Sequence, residues 1–368
     1  MENPFSYSNY VTGASFCNRL AEQKDLIYFA KNSENILLYS HRRMGKTSLL
    51  HQVMKRLKKT RPKINCVYID LYGTLDENDF IDAVLTGVTQ IESRIEKIFK
   101  QMSGLKLTGS IDPTTNLPTL SASIKLKENP EYLEKALGLL ASYSKKHKVL
   151  VIFDEFQEVA GYSEAGFEKR LRSVIQGHQN ISYFFSGSQK HILTDMFDSA
   201  KRAFFKMARN YPLEKIDIRH YINWAHSLFM QKHVNISERI LADIVDFCEY
   251  QPMYIQEVLF DLWRSPDVDS DVIDQIKSSI LTSHKNQFMV LWDLLTQNQK
   301  KALRLLTETE GKGIYAAEHL QRVGFNSGSV LHTALLSLQE KEIISKNKTF
   351  QFQDVMFKKW VQALSRSI

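Results

Sequence analysis

A short apolar run, Asn35-Ile36-Leu37-Leu38-Tyr39, passes directly into Ser40-His41-Arg42-Arg43-Met44-Gly45-Lys46-Thr47. The chain then continues as Ser48-Leu49-Leu50-His51-Gln52-Val53-Met54, which has the apolar spacing of an amphipathic helix. A strand, a basic turn and a helix in this order constrain the fold tightly, because the turn resembles a phosphate-binding loop in its proper setting. That loop reads Gly, any four residues, Gly, Lys, then Ser or Thr. Its backbone N–H groups wrap phosphates, the Lys reaches the terminal ones and the hydroxyl takes a Mg²⁺ position. Gly45, Lys46 and Thr47 match, while Ser40 stands where the first Gly belongs. Ser is small enough for a tight turn but is strained wherever φ is positive. The helix beginning near Lys46 would point its positive end at the anion. The competing reading is a basic turn that binds nothing, and a second motif opposes it.

Lys148-Val149-Leu150-Val151-Ile152-Phe153 is continuously apolar, as a strand covered on both faces is, and it ends in Asp154-Glu155-Phe156-Gln157. Alone, these acids would read equally well as a solvated turn. About a hundred residues after a phosphate loop they acquire roles: Asp154 with Thr47 for the metal, and Glu155 for orienting or deprotonating the attacking water. A third strand, Ile181-Ser182-Tyr183-Phe184-Phe185, ends in Ser186-Gly187-Ser188-Gln189. Ser186 and Ser188 are therefore sensor candidates for a terminal phosphate, with a Ser-Gly turn capping the next helix as the rival reading. Ile64-Asn65-Cys66-Val67-Tyr68-Ile69-Asp70 reads as the strand after the loop helix, with Asp70 as its end rather than a metal ligand.

From Asn3 to about Tyr211, apolar strands alternate with amphipathic helices, the pattern of an α/β fold with a mainly parallel sheet covered on both faces. Leu105 to Leu126 departs from it by alternating in twos around Asp112-Pro113-Thr114-Thr115-Asn116, which predicts an inserted hairpin. After Leu213 the sequence predicts helices to about Val290, a lid, with turns at Gln251-Pro252 and Ser265-Pro266-Asp267. From Leu294 the order is helix, helix, helix, strand, strand, helix, a winged helix-turn-helix. The expected division is 1–212 for the P-loop domain, 213–290 for the lid and 291–368 for the winged helix. With 368 residues, 43% of them hydrophobic, the chain can bury a core for each.

The net charge of +7 and a pI near 9.0 permit nucleic-acid contact without requiring it. Much of the excess lies in Lys55, Arg56, Lys58, Lys59, Arg61 and Lys63, where cations complement the end of the loop helix. The third winged-helix segment, Ser327 to Gln339, has no Lys or Arg; only Lys341, Lys346 and Lys348 lie nearby. Readers of the major groove bring cations and amides to base edges and phosphates, so a regulatory or protein-contacting module is favoured over specific DNA readout. Cys17, Cys66 and Cys248 are too scattered for a disulfide framework or a zinc site. No eighteen-residue apolar run or secretion signal occurs, so a cytoplasmic protein with no membrane contact is expected.

Together these residues resemble the STAND-type relatives of AAA+ ATPases, in particular the archaeal-type ATPases that are also widespread in bacteria. The resemblance runs through Asn3-Pro4-Phe5, Gly13-Ala14-Ser15-Phe16-Cys17-Asn18-Arg19, Arg42 to Leu49, Phe153 to Gln157, Ser186-Gly187-Ser188, Tyr250-Gln251-Pro252 and Phe352 to Trp360. It implies that the segment holding Phe5 and Gly13 lies beside the nucleotide base and that Pro252, in a lid motif Gly-x-Pro, approaches the adenine. Tyr250 stands where Gly is usual. The loop residues implied to bind nucleotide are Ser40, Arg42, Arg43, Met44, Gly45, Lys46, Thr47 and Ser48, with Lys46 also catalytic. AAA+ relatives often place an arginine finger after the first-sensor strand, and Arg202 and Arg209 occupy that stretch; either reads equally as a surface or salt-bridge residue. ATP/ADP and Mg²⁺ are the implied cofactors, since no guanine-reading Asn-Lys-x-Asp segment occurs.

The expected protein is thus an ATP- and Mg²⁺-dependent switch of slow turnover, with a protein partner or self-association. The rivals are a DNA-engaging ATPase of the initiator or transposition-helper kind and a non-hydrolysing scaffold that retains ADP.

Overall fold

The computed structural model describes residues 2–17, 19–89, 91, 107–111, 118–122, 131–266, 268–346 and 348–366. It divides into two compact units. One holds residues 19–41 and 46–214, and the other 1–18, 42–45 and 215–368.

The first unit is a five-stranded, all-parallel sheet with flanking helices. Its elements are α1 (Leu20–Lys31), β1 (Ile36–Tyr39), α2 (Lys46–Leu57), β2 (Asn65–Asp70), α3 (Glu77–Val88), β3 (Leu107–Ile111), β4 (Pro118–Ala122), α4 (Tyr132–Ser144), β5 (Val149–Asp154), α5 (Phe167–Gln176), β6 (Ile181–Gly187), α6 (Lys190–Asp198) and β7 (Arg209–Pro212). The strand order is β2-β5-β6-β1-β7. Every residue of β1, β5 and β6 is buried, as continuous apolar runs require when helices cover both faces. Register carries the C-terminal ends of these central strands to one edge. Leu38 pairs with Ser186 and Phe153 with Phe185, so Asp154 and Ser186 come side by side beyond the last pair. The helix α2 buries Leu49, Leu50, Val53, Met54 and Leu57 and leaves Lys55 and Arg56 exposed. A buried aromatic cluster of Phe153, Phe156, Phe185, Phe197 and Phe204 packs beneath the acid-bearing strand.

Two features differ from or extend the sequence reading. Arg209-Asn210-Tyr211-Pro212 forms an edge strand on β1, which no apolar run announced. Paired on one side only, it needs no buried side chains and tolerates Pro212. The expected hairpin exists as β3 paired antiparallel with β4, from Leu107↔Ala122 to Ile111↔Pro118. The rest of the 105–126 segment lies outside the described residues, as do Asn18, Asp267 and Asn347.

The second unit is helical and ends in a winged helix: α7 (Ile218–Gln231), α8 (Glu238–Phe247), α9 (Pro252–Leu262), α10 (Ser270–Ser283), α11 (Lys285–Asp293), α12 (Gln297–Thr309), α13 (Ala317–Arg322), α14 (Gly328–Glu340), β8 (Ile344–Lys346), β9 (Phe350–Phe352) and α15 (Val355–Arg366). The start of the chain docks onto α7 and α9. Asn3 Nδ2 donates to Phe260 O at 3.0 Å, Trp224 Nε1 to Ala14 O at 3.0 Å, and Gln256 Nε2 to Ser15 O at 3.2 Å. A capping box of Thr296 and Gln299 starts α12, and Ser327 caps α14. Asp354 starts α15 by accepting the Met356 and Phe357 N–H groups at 2.9 and 3.1 Å. Leu303, Leu331, Leu335, Leu338, Ile344 and Val361 fill the winged-helix core. All three cysteines are buried and none forms a disulfide.

Candidate functional site

The loop between β1 and α2 carries its left-handed residues at Arg43 (φ 67°) and Gly45 (φ 80°), and Ser40 is not among them. Ser40 therefore replaces glycine without left-handed strain, and its hydroxyl donates to His41 O at 3.0 Å. At Gly45 a Cβ would meet open space, so the backbone conformation is what favours glycine there. Lys46 begins α2 and is 7% exposed.

At the edge of the sheet, Asp154 is 3% exposed. Its Oδ2 accepts from Thr47 Oγ1 at 3.1 Å and from Tyr68 Oη at 2.5 Å, and its Oδ1 accepts the Glu155 N–H at 3.1 Å. Burial opposes ionisation, but the Lys46 ammonium and the Tyr68, Ser186 and Thr47 hydroxyls together hold the carboxyl below its usual range. Burial and the Asp154 charge push the Tyr68 phenol far above its ordinary value, so it stays protonated and donates. The buried Ser186 hydroxyl lies near enough to Asp154 to favour its charge, yet has no hydrogen-bond partner of proper geometry. Asp154 and Thr47 present oxygen only, a donor set that suits Mg²⁺ rather than a softer metal.

Glu155 follows in a left-handed conformation, φ 51°. Ser188 Oγ at 3.1 Å and Gln157 Nε2 at 2.5 Å both donate to its Oε2. The Gln157 Oε1 is buried without a partner against Gly187. The fold thus brings Lys46, Thr47, Asp154, Glu155, Ser186 and Ser188 to one sheet edge. Sequence reasoning missed the functional contacts of Tyr68 and Gln157. Tyr68 had one faint signal, a hydroxyl two residues from the end of a strand beside the acid-bearing one.

In the helical unit, Arg43 donates to the Tyr254 hydroxyl and pairs with Asp354, with its guanidinium 4.9 Å from the Tyr254 ring centre. Tyr254 Oη in turn donates to Asp354 Oδ1 at 2.8 Å. Burial opposes the Arg43 charge, but Asp354 and Tyr254 outweigh it and raise the guanidinium above its ordinary value. Arg42 pairs with Glu342, and Met44 is buried. Pro252 opens α9 at its first turn, where a missing N–H costs nothing. The preceding Tyr250 adopts φ 68°, the left-handed conformation that glycine would take freely. Phe5 is fully buried against Trp224, Phe229 and Trp263, and Gly13 (φ 69°) starts the Gly13–Ser15 turn.

The two finger candidates are both engaged within the α/β unit. Arg202 pairs with Glu168 and, at 3.1 Å, with Asp195; the Arg209 guanidinium sits 5.2 Å from the Phe29 ring centre.

A parallel sheet of this order, a strand–loop–helix bearing Lys46 and Thr47, and acids at the end of the neighbouring strand define the AAA+-like P-loop NTPase fold, here followed by a winged helix. A family model described as a probable winged helix domain matches residues 286–363. Among solved structures the chain is similar to the Walker-type ATPase PABY2304 of Pyrococcus abyssi, with 16% identity, 98% of this chain and 99% of that one covered, and a TM-score of 0.69. It is also similar to the ORC2 protein of Aeropyrum pernix in ADPNP–ADP complexes, with 15% identity, 95% of each chain covered and a TM-score of 0.57. The ADP form of that protein gives 14% identity, 97% of each chain covered and a TM-score of 0.56. No curated protein matches the sequence. Among the described residues no helix is long and apolar enough to cross a membrane.

Proposed function

We propose that this protein binds ATP with Mg²⁺, hydrolyses it slowly, and acts as a nucleotide-controlled switch whose output is the winged helix. The observation that carries the reading is the contact of Thr47, on the loop helix, with the buried, ionised Asp154 of β5. Lys46 contributes a buried cation at the start of α2, where the helix dipole also favours phosphate. Thr47 and Asp154 would hold the Mg²⁺, which when bound neutralises charge on the phosphate oxygens. Glu155 has both side-chain donors on Oε2, which leaves Oε1 to take a proton from the attacking water. Ser186 and Ser188 serve as sensors of the terminal phosphate. In the same reading Arg42, Arg43, Met44, Gly45 and Ser48 take part in nucleotide binding, as do Phe5, Gly13 and Pro252. The proposed organisation is a P-loop domain (1–212), a lid (213–290) and a winged helix (291–368), although residues 1–18 and 42–45 pack within the helical unit.

A protein partner or self-association is favoured over DNA as the target of the winged helix. The exposed positions of α14 include Ser329, Val330, His332, Thr333 and Leu336 and bring no cation to phosphates. Calorimetry and phosphate release test the reading. Lys46→Ala abolishes ATP binding, and Glu155→Gln keeps binding and stops turnover. Normal turnover in Glu155→Gln removes that residue from catalysis. Tight ADP retention without phosphate release favours the scaffold, and stimulation by DNA that weakens steeply with salt favours a DNA-engaging ATPase.

A further inference from the structure

Three donors converge on the Asp154 carboxylate, and two of them come with the elements that build the site. The Glu155 N–H belongs to the next residue, and Thr47 begins α2. The third, Tyr68 Oη at 2.5 Å, comes from β2 and belongs to neither. The β2–β5 register pairs Tyr68 with Ile152, two residues before Asp154, so the long side chain leans along the strand to reach the acid. His51 of α2 lies against its ring, with centroids 4.7 Å apart. The helix that presents Lys46 and Thr47 therefore also braces the ring that holds Asp154.

We propose that Tyr68 is a positioning residue for Asp154: its hydroxyl pins Oδ2 toward Thr47 and so sets how tightly the Thr47–Asp154 pair takes a divalent cation beside a bound nucleotide. The proposal rests on the Mg²⁺–nucleotide reading above. The terminal torsion of an aspartate is broad and softly held. With Thr47 alone on Oδ2 the carboxylate turns more freely, and ordering it falls to the cation. Loss of such an outer hydrogen bond lowers metal affinity about 10- to 100-fold. Tyr68 touches neither cation nor phosphate in this scheme, so nucleotide affinity without metal stays as it was.

Tyr68→Phe keeps the ring and its His51 contact and deletes only the donor. Binding of a non-hydrolysable ATP analogue is measured by calorimetry in EDTA and across a Mg²⁺ titration, on wild type and variant. The expected result is EDTA affinity within about twofold of wild type and a Mg²⁺ half-point raised about tenfold or more. His51→Ala, which removes the brace and leaves the hydroxyl, moves the half-point the same way by a smaller factor. An unchanged Mg²⁺ half-point in Tyr68→Phe overturns the proposal, as does an equal loss of affinity with and without metal, which would mark a general packing defect. Wild-type protein that binds no nucleotide in either condition sinks the nucleotide reading and the proposal with it. A wild type that binds, with an indistinguishable Tyr68→Phe, sinks the proposal alone.

Discussion

Gly187 ends β6 directly behind the Glu155 pair, and its lack of a side chain has a calculable consequence. A Cβ at this position would clash with the Gln157 Oε1, well inside van der Waals contact, and lie 3.2 Å from its Cδ and 2.9 Å from Leu193 Cδ1. Leu193 is fully buried, and the Gln157 amide is tied to Glu155, so neither yields freely. Overpacking of this kind costs about 1–3 kcal/mol, and displacing the amide from Glu155 adds about 1 kcal/mol. Gly187→Ala is therefore expected to destabilise the α/β unit by about 2–4 kcal/mol, of which the lower bound is already about a 30-fold loss of protection. Amide hydrogen exchange along Val149–Asp154 and Ile181–Gly187 measures this within the strands concerned. Adding Gln157→Ala removes the nearer obstacle and leaves only the end of Leu193, so the double variant should be more stable than the sum of the singles predicts, by at least about 1 kcal/mol. Additivity within about 0.5 kcal/mol, or a Gly187→Ala protein as protected as wild type, would refute the steric argument.

Two further outcomes concern the helical unit, which contains all four tryptophans, Trp224, Trp263, Trp292 and Trp360, and can be followed by their fluorescence. Asp354→Ala removes the cap of α15, worth about 1 kcal/mol, and strands the Arg43 guanidinium and Tyr254 hydroxyl, worth about 1–3 kcal/mol more. Asp354→Asn keeps the cap and recovers part of the loss, and equal stability of Asp354→Ala and wild type in urea would remove this cluster from the stability account. His284 Nε2 meets the buried Glu257 carboxylate at 3.0 Å, a hydrogen bond that raises the imidazole pKa above its usual 6.5 despite partial burial. Because the folded value is the higher one, the contribution is complete below about pH 6.5 and fades as pH rises through the folded pKa. His284→Gln should abolish that part of the pH dependence of the urea midpoint, and an unaltered profile would show that the pair contributes none.

The mainly parallel sheet through β1, β2, β5 and β6, the phosphate loop, the acid-bearing strand and the winged helix were legible in the sequence, because each is written in neighbouring residues. Continuous apolar runs define β1, β2, β5 and β6, helical spacing defines α2, and turn chemistry together with strand alternation defines the wing. Ser40 and Tyr250 were recognisable as departures from glycine, but only the backbone shows that Ser40 avoids a positive φ and Tyr250 adopts one. The edge strand β7 was invisible, because its pairing with β1 rests on backbone hydrogen bonds that any side chains permit.

What the tertiary structure alone decided is which distant groups share a hydrogen bond. Tyr68 and Asp154 are 86 residues apart, Arg43 and Asp354 are 311, and the Gln157 amide needs an absent side chain thirty positions on at Gly187. Such contacts depend on strand order and on the level at which strands pair. Local periodicity carries neither, so the sequence by itself determined the elements and the chemistry available at the sheet edge, and packing determined which side chains hold that chemistry in place.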